Sequence, residues 1–345
     1  MRTIGSGMPG RQDHGKLQRL PVKVQTWARW LAGLLGAAGL GAGGAAVFLT
    51  QAEAGPVALI AAGALFLLLA LGGVMPTRVK IGESEAEWQE IAQSVADIQR
   101  QAPELGALLD SGGVSLEAIL SGQKLASEPG IAQAGVRVGA LAEDVRLLEA
   151  KAGQDLVPPD ALLEIGKWYV AQRDWATGAG YLDAYVSRAD ADWETYFMLG
   201  VAHANSRGGE QSDRASLRAY DEAMMRWPAH PPVGLTARLY SHRSAMKKRL
   251  GRLREAKADA EIALKLAETG YERSDALYNL ACVEAMLGNR AAALGYVVEL
   301  GRLGGIHRII GHLDDYFGAL RSDPEFLSLL GQGQSQVRVP ADSGK

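Results

Sequence analysis

Apolar positions run along this chain in three rhythms, and each predicts a different kind of helix. Between Trp27 and Leu49 the sequence reads WARWLAGLLGAAGLGAGGAAVFL, 23 residues with one charge, Arg29; a second, uncharged run, PVALIAAGALFLLLALGGVM, covers 56–75. At about 1.5 Å per residue, a helix over either run reaches across a hydrocarbon layer of about 30 Å. The linker TQAEAG leaves room only for a tight turn. The pattern therefore predicts a transmembrane hairpin with spans at 27–49 and 56–75. From residue 84 onward, apolar residues instead recur every three or four positions. Trp88, Ile91, Val95 and Ile98 form one stripe; Val138, Leu141, Val145 and Leu148 form another over 136–151. This is the spacing of amphipathic helices. The glycine, serine and proline residues of DSGGVSLEAILSGQKLASEPG separate the two stripes, so 84–156 reads as a helical linker or stalk.

The third rhythm is a repeat. Ile165-Gly166 in LLEIGKWYVAQRDW returns as Leu199-Gly200 in YFMLGVAHANSRGG, 34 residues later, and as Leu280-Ala281 in LYNLACVEAMLGNRAAAL. Turn glycines Gly251 and Gly288 precede helices with Ala256, Ala260 and Ala263, or Ala293, on one side, and Ser216, Tyr220, Ala223 and Pro228 close the second unit. The third unit departs most, with Arg243 and Ser244 where the large-small pair is expected. These positions resemble the tetratricopeptide repeat family in its bacterial membrane-anchored type. The resemblance implies an all-α chain in which small residues let paired helices approach and successive hairpins stack into an α-solenoid. It assigns repeats to 158–300 and closing helices to 301–331, around HLDDYFGALRSDPEFLSLL. A disordered tail is expected at 332–345.

Composition changes the picture in two places. The chain is 48% hydrophobic but only 6% aromatic, with 42 glycines, which favours closely packed helices over sheets of branched residues. Its formal charge is -3, yet residues 1–30 hold six basic residues against Asp13 alone. A basic tail (1–26) before the first apolar run, and Arg78 and Lys80 after the second, predict by the positive-inside tendency that both ends face the cytoplasm at an inner membrane. The alternative is a cleaved signal, since AEA at 52–54 resembles a processing site, and it puts the body on the opposite side. An acidic body does not suit nucleic acid.

Candidate chemistry is sparse. GLGAGG at 39–44 has dinucleotide-site spacing but lacks a strand-turn-helix setting; Gly39 and Gly43 instead form a GxxxG contact for a neighbouring membrane helix, and through it a homo-oligomer. One cysteine, Cys282, excludes an intramolecular disulfide and any CxxC site. It falls beside the packing pair Leu280-Ala281 and reads as structural. His307 and His312, five apart, do not share a helix face. No catalytic, cofactor or metal site is expected. The resemblance places a concave groove on the first helix of each repeat, with Lys167, Asn205, Arg238, His242, Lys248, Arg249 and Asn279 as groove candidates for a protein or peptide, such as an acidic segment or C-terminal carboxylate. The function this implies is a non-enzymatic scaffold anchored in the bilayer and recruiting protein partners. Its alternatives are a membrane-disrupting or pore-forming effector with a sensor domain and a periplasmic envelope-assembly factor.

Overall fold

The computed structural model describes residues 85–121, 129–232 and 234–337, and every regular element among them is helical. The helices are α1 (Glu85–Ser111), α2 (Leu116–Ser121), α3 (Pro129–Ala152), α4 (Pro159–Ala171), α5 (Trp175–Val186), α6 (Trp193–Asn205) and α7 (Gly209–Met225). They continue as α8 (Leu235–Arg249), α9 (Leu253–Leu266), α10 (Gly270–Met286), α11 (Arg290–Arg302), α12 (Ile306–Ile310), α13 (Leu313–Tyr316) and α14 (Pro324–Val337), with short 3-10 turns at Gln154–Leu156 and Gly318–Leu320.

The expected transmembrane hairpin is corrected. Among the described residues no helix is long and apolar enough to cross a membrane. The physical reason is that their apolar residues form stripes: α1 is 27 residues long, but Glu85, Glu87, Glu90, Asp97, Arg100 and Glu104 interrupt it. The runs at 27–49 and 56–75, the basic tail 1–26 and the proposed contact at Gly39 and Gly43 lie outside the described residues. Bilayer anchoring, membrane-helix oligomerisation, the multi-pass inner-membrane location and the pore-forming and periplasmic readings rested on those runs, and they lose their support with the hairpin. α14 also continues to Val337, past residue 331, where the sequence reading starts a tail.

The described residues fall into two compact units, one of 85–96 with Leu147–Val157, the other of 97–146 with everything from Pro158 onward. In the first, Ile91, Val95, Leu148, Ala152 and Leu156 are buried, and Lys151 pairs with Glu90. In the second, Ile98 of α1 and Val138, Leu141 and Val145 of α3 are buried in the stripes that their spacing predicts, and Leu105 and Leu109 of α1 are buried as well. Gln101 Nε2 donates to Asp144 Oδ2 at 3.3 Å, and Arg137 lies 3.6 Å from Glu104, so α1 and α3 run side by side there. α3 starts at Pro129, earlier than residue 136, because proline suits the first turn of a helix, where its missing N–H goes unused.

From α4 to α11 each helix packs on the next, and α4, α6, α8 and α10 also touch in succession, so the first helices of four hairpins form one continuous layer. Small residues make the hairpins possible. A Cβ on Gly166 would lie 2.8 Å from Leu182, and one on Gly200 would lie 2.3 Å from the Tyr220 ring. The hydroxyl of Ser216 donates to the Gly200 carbonyl at 2.7 Å, fastening α7 to α6. In α8 the departure from the large-small pair is absorbed by Ser244, which is fully buried and donates to the Ala256 carbonyl of α9 at 2.8 Å. Ala281 and Ala293, both fully buried, serve α10 and α11. Gly251 and Gly288 adopt φ of 72° and 78°, the left-handed conformation at low cost only to glycine, and so set the tight turns into α9 and α11.

This packing gives a prediction. Gly200→Ala should lower stability by about 1–3 kcal/mol, since the added methyl must displace a fully buried tyrosine ring. Gly295→Ala in α11, where the new Cβ meets nothing within 4 Å, should raise it by about 0.5–1 kcal/mol through helix propensity. Urea unfolding of the two variants checks the contrast, and equal effects would contradict close approach at Gly200.

Candidate functional site

The polar residues concentrate where α8 faces α10. α10 starts at a capping box: Thr269 accepts from the Glu272 N–H and the Glu272 carboxylate accepts from the Thr269 N–H, both at 3.2 Å. This fixes the first turn of the helix that carries Tyr271, Asp275, Tyr278, Asn279 and Cys282. Asn279, 5% exposed, joins the two helices: its Nδ2 donates to the Ser241 carbonyl of α8 at 3.1 Å. With the amide so oriented, Asn279 Oδ1 accepts from Lys248 Nζ at 3.2 Å.

Around this link lies a pocket of about 190 Å³. Ser241, His242, Lys248 and Arg249 line it from α8, Tyr271, Asp275, Tyr278 and Asn279 from α10, and Arg308, His312 and Tyr316 from the segment after α11. Lys248 is 3% exposed. Its ammonium stands 4.2 Å from the centre of the Tyr316 ring and 4.7 Å from that of Tyr278, over ring faces that attract a cation. No carboxylate forms an ion pair with it among the described residues. Burial pushes the Lys248 amine below the usual lysine range; the Cys282 thiol works against that, and Arg249 and Arg308 add to it. Burial in turn holds the Cys282 thiol above its usual range, with Lys248 and Tyr278 pulling the other way.

The next residue supplies the comparison. Lys247, 6% exposed, is as buried as Lys248, but its Nζ lies 2.7 Å from the carboxylate of Asp259, which also has Arg243 at 3.6 Å. The pocket's other cations have partners as well. Arg249 donates to Asp213 Oδ1 at 3.2 Å and to the Ala204 carbonyl at 2.9 Å, while Arg308 pairs with Asp275. His242 is packed against Phe197 and Tyr220 at 5.6 Å between ring centres. Burial depresses its imidazole to about 4, helped by Arg238, Arg249 and Arg308 and opposed by Asp275, so it is neutral near pH 7. Among the described residues, Lys248 is therefore the pocket cation without an ion-paired carboxylate.

Of the groove candidates, His242, Lys248, Arg249 and Asn279 meet at this pocket. Arg238 sits one turn along α8, 3.9 Å from Glu272 and over the Tyr271 ring, with Nε and Nη1 buried without a hydrogen-bond partner. Lys167 is elsewhere, on α4, bonded to the buried Glu164 at 3.0 Å. Asn205 spends its amide on the Val201 carbonyl of its own helix at 2.8 Å. Neither reaches the pocket. Arg308, His312 and Tyr316 line it without being among the candidates, because their segment reads as closing helices; the aromatic and basic residues of IHRIIGHLDDYF were the available signal.

No protein-family model matches the chain, and no curated protein matches it. Membership of the tetratricopeptide repeat family is accordingly corrected to the coarser statement that the regular elements of the described residues are all helical. The large-small pairs that carried the resemblance describe how two helices approach, and any closely packed helix pair requires the same. The scaffold role and its acidic peptide partner, which came with the resemblance, lose their basis too.

Two adjacent lysines test this electrostatic description. Lys247→Met strands Asp259 in the core with only the longer contact to Arg243, and should cost about 2–3 kcal/mol. Lys248→Met removes a buried charge that no described carboxylate pairs with, and should leave stability within about 1 kcal/mol of wild type or raise it. Urea denaturation of both variants measures the difference; a larger loss at Lys248 would contradict the assignment.

Proposed function

We propose that the protein is a binding protein, not an enzyme, whose pocket between α8 and α10 takes a small anion against Lys248. One observation carries this reading: Lys248 is buried and, among the described residues, has no carboxylate paired with its ammonium, whereas Lys247 beside it has Asp259. A buried ammonium without a counter-charge is costly, and an anion entering the pocket offsets that cost. Arg249 and Arg308, although paired, add positive potential at the same walls, and the Asn279 amide and tyrosine rings hold the lysine in place for its partner. Burial holds the Cys282 thiol above its usual range, which disfavours a thiol nucleophile, because the thiolate is the reactive form.

Calorimetric titration of the full chain with acetate and with inorganic phosphate tests the proposal. At least one should bind and, at a hundredfold excess over its Kd, should stabilise the fold by about 2.7 kcal/mol. Lys248→Met should abolish both effects. Equal binding by the Lys248→Met variant, or no binding of either anion by the wild type, would overturn the reading.

A further inference from the structure

The surroundings that make Lys248 a partner for an anion also suit it as an amine nucleophile. A nearby carboxylate favours the ammonium form of a lysine; Lys247 has such a neighbour, Asp259, at 2.7 Å. Lys248 has instead an amide oxygen at 3.2 Å and two ring faces, with Arg249 and Arg308 lining the same pocket. Desolvation and neighbouring cations are the two devices that free a lysine amine for attack on a carbonyl. Both are present at this one side chain, which lines an open pocket despite its burial.

We propose that Lys248 captures a small 2-oxo acid as a reversible imine, with the acid's carboxylate held in the positive potential of the pocket. The inference rests on the anion-binding reading, since the carboxylate is what brings the carbonyl to the amine. The ammonium first gives one proton to water. The nitrogen lone pair then attacks the carbonyl carbon, forming the C–N bond, and the carbonyl π pair moves to oxygen. The resulting carbinolamine loses its oxygen as water, which takes one proton from nitrogen and one from solvent. Ammonium and oxo acid thus give a protonated imine and one water, with the total charge unchanged. Nothing is oxidised or reduced. The positive charge stays at nitrogen, over the faces of Tyr278 and Tyr316, beside the ligand's own carboxylate.

Reductive trapping is the test. The full chain is incubated with pyruvate or glyoxylate and sodium borohydride, digested, and mapped by mass spectrometry, with calorimetry of the same oxo acids in parallel. The expected result is an adduct at Lys248 formed about tenfold faster than at any exposed lysine, slowed by added acetate. Lys248→Arg should retain binding of the oxo acid and lose the adduct at this position. If calorimetry shows the oxo acid bound but Lys248 stays unmodified, or labelling is uniform over the lysines, imine capture is wrong and the anion site stands. If the oxo acid neither binds nor labels, and acetate and phosphate fail as well, both readings fall.

Discussion

The close approach of paired helices is the constraint on which the rest of this structure depends. Gly166 against Leu182 and Gly200 against Tyr220 leave no room for a side chain, and Ser244 and Ala281 do the same work in the later hairpins. Packed interiors tolerate neither a void nor an extra methyl without cost. The small positions therefore fix which residues of each first helix point at its partner and which turn towards the neighbouring hairpin. Lys247 and Lys248, one residue apart, fall on different sides of that division. Lys247 meets Asp259 of α9, within its hairpin, while Lys248 meets Asn279 of α10, across to the next.

The pocket is a consequence of that arrangement. α8 and α10 are held together by Asn279, which donates to the α8 backbone with one end of its amide and receives from Lys248 with the other. The segment after α11 then adds Arg308, His312 and Tyr316 to the pocket's lining. Aspartates pair with the two arginines, and burial keeps His242 uncharged near neutral pH. Among the described residues, Lys248 is left without an ion-paired carboxylate. In a low-dielectric setting such a charge costs several times what it costs at the surface, so its retention has a rationale in what it binds.

Much of this was legible in the sequence, and the failures have identifiable causes. Helical spacing located the buried residues of α1 and α3, since Val95, Ile98, Val138, Leu141 and Val145 are nearly inaccessible. Small residues at 166, 200 and 281 marked the helix contacts. Ser244 hid the third contact because its hydroxyl, ordinarily a surface group, is satisfied by the Ala256 carbonyl. Length and hydropathy alone suggested a membrane hairpin, which no described helix supports. The groove candidates divided for a similar reason: a polar residue on a first helix can be spent locally, as Lys167 is on Glu164 and Asn205 on Val201. Whether a lysine has a counter-charge depends on residues far away in the chain, and neither periodicity nor composition contains that information.

The central claim is that Lys248 carries a buried charge that no described residue balances. Its most direct test is the titration of that one amine, followed by NMR on lysine labelled with ¹³C and ¹⁵N and assigned by comparison with Lys248→Met. The account predicts that Lys248 titrates below the ordinary lysines of the chain in the anion-free protein, and that saturation with the bound anion moves it back up. A Lys248 signal that titrates with the surface lysines, unmoved by any small anion, would contradict it.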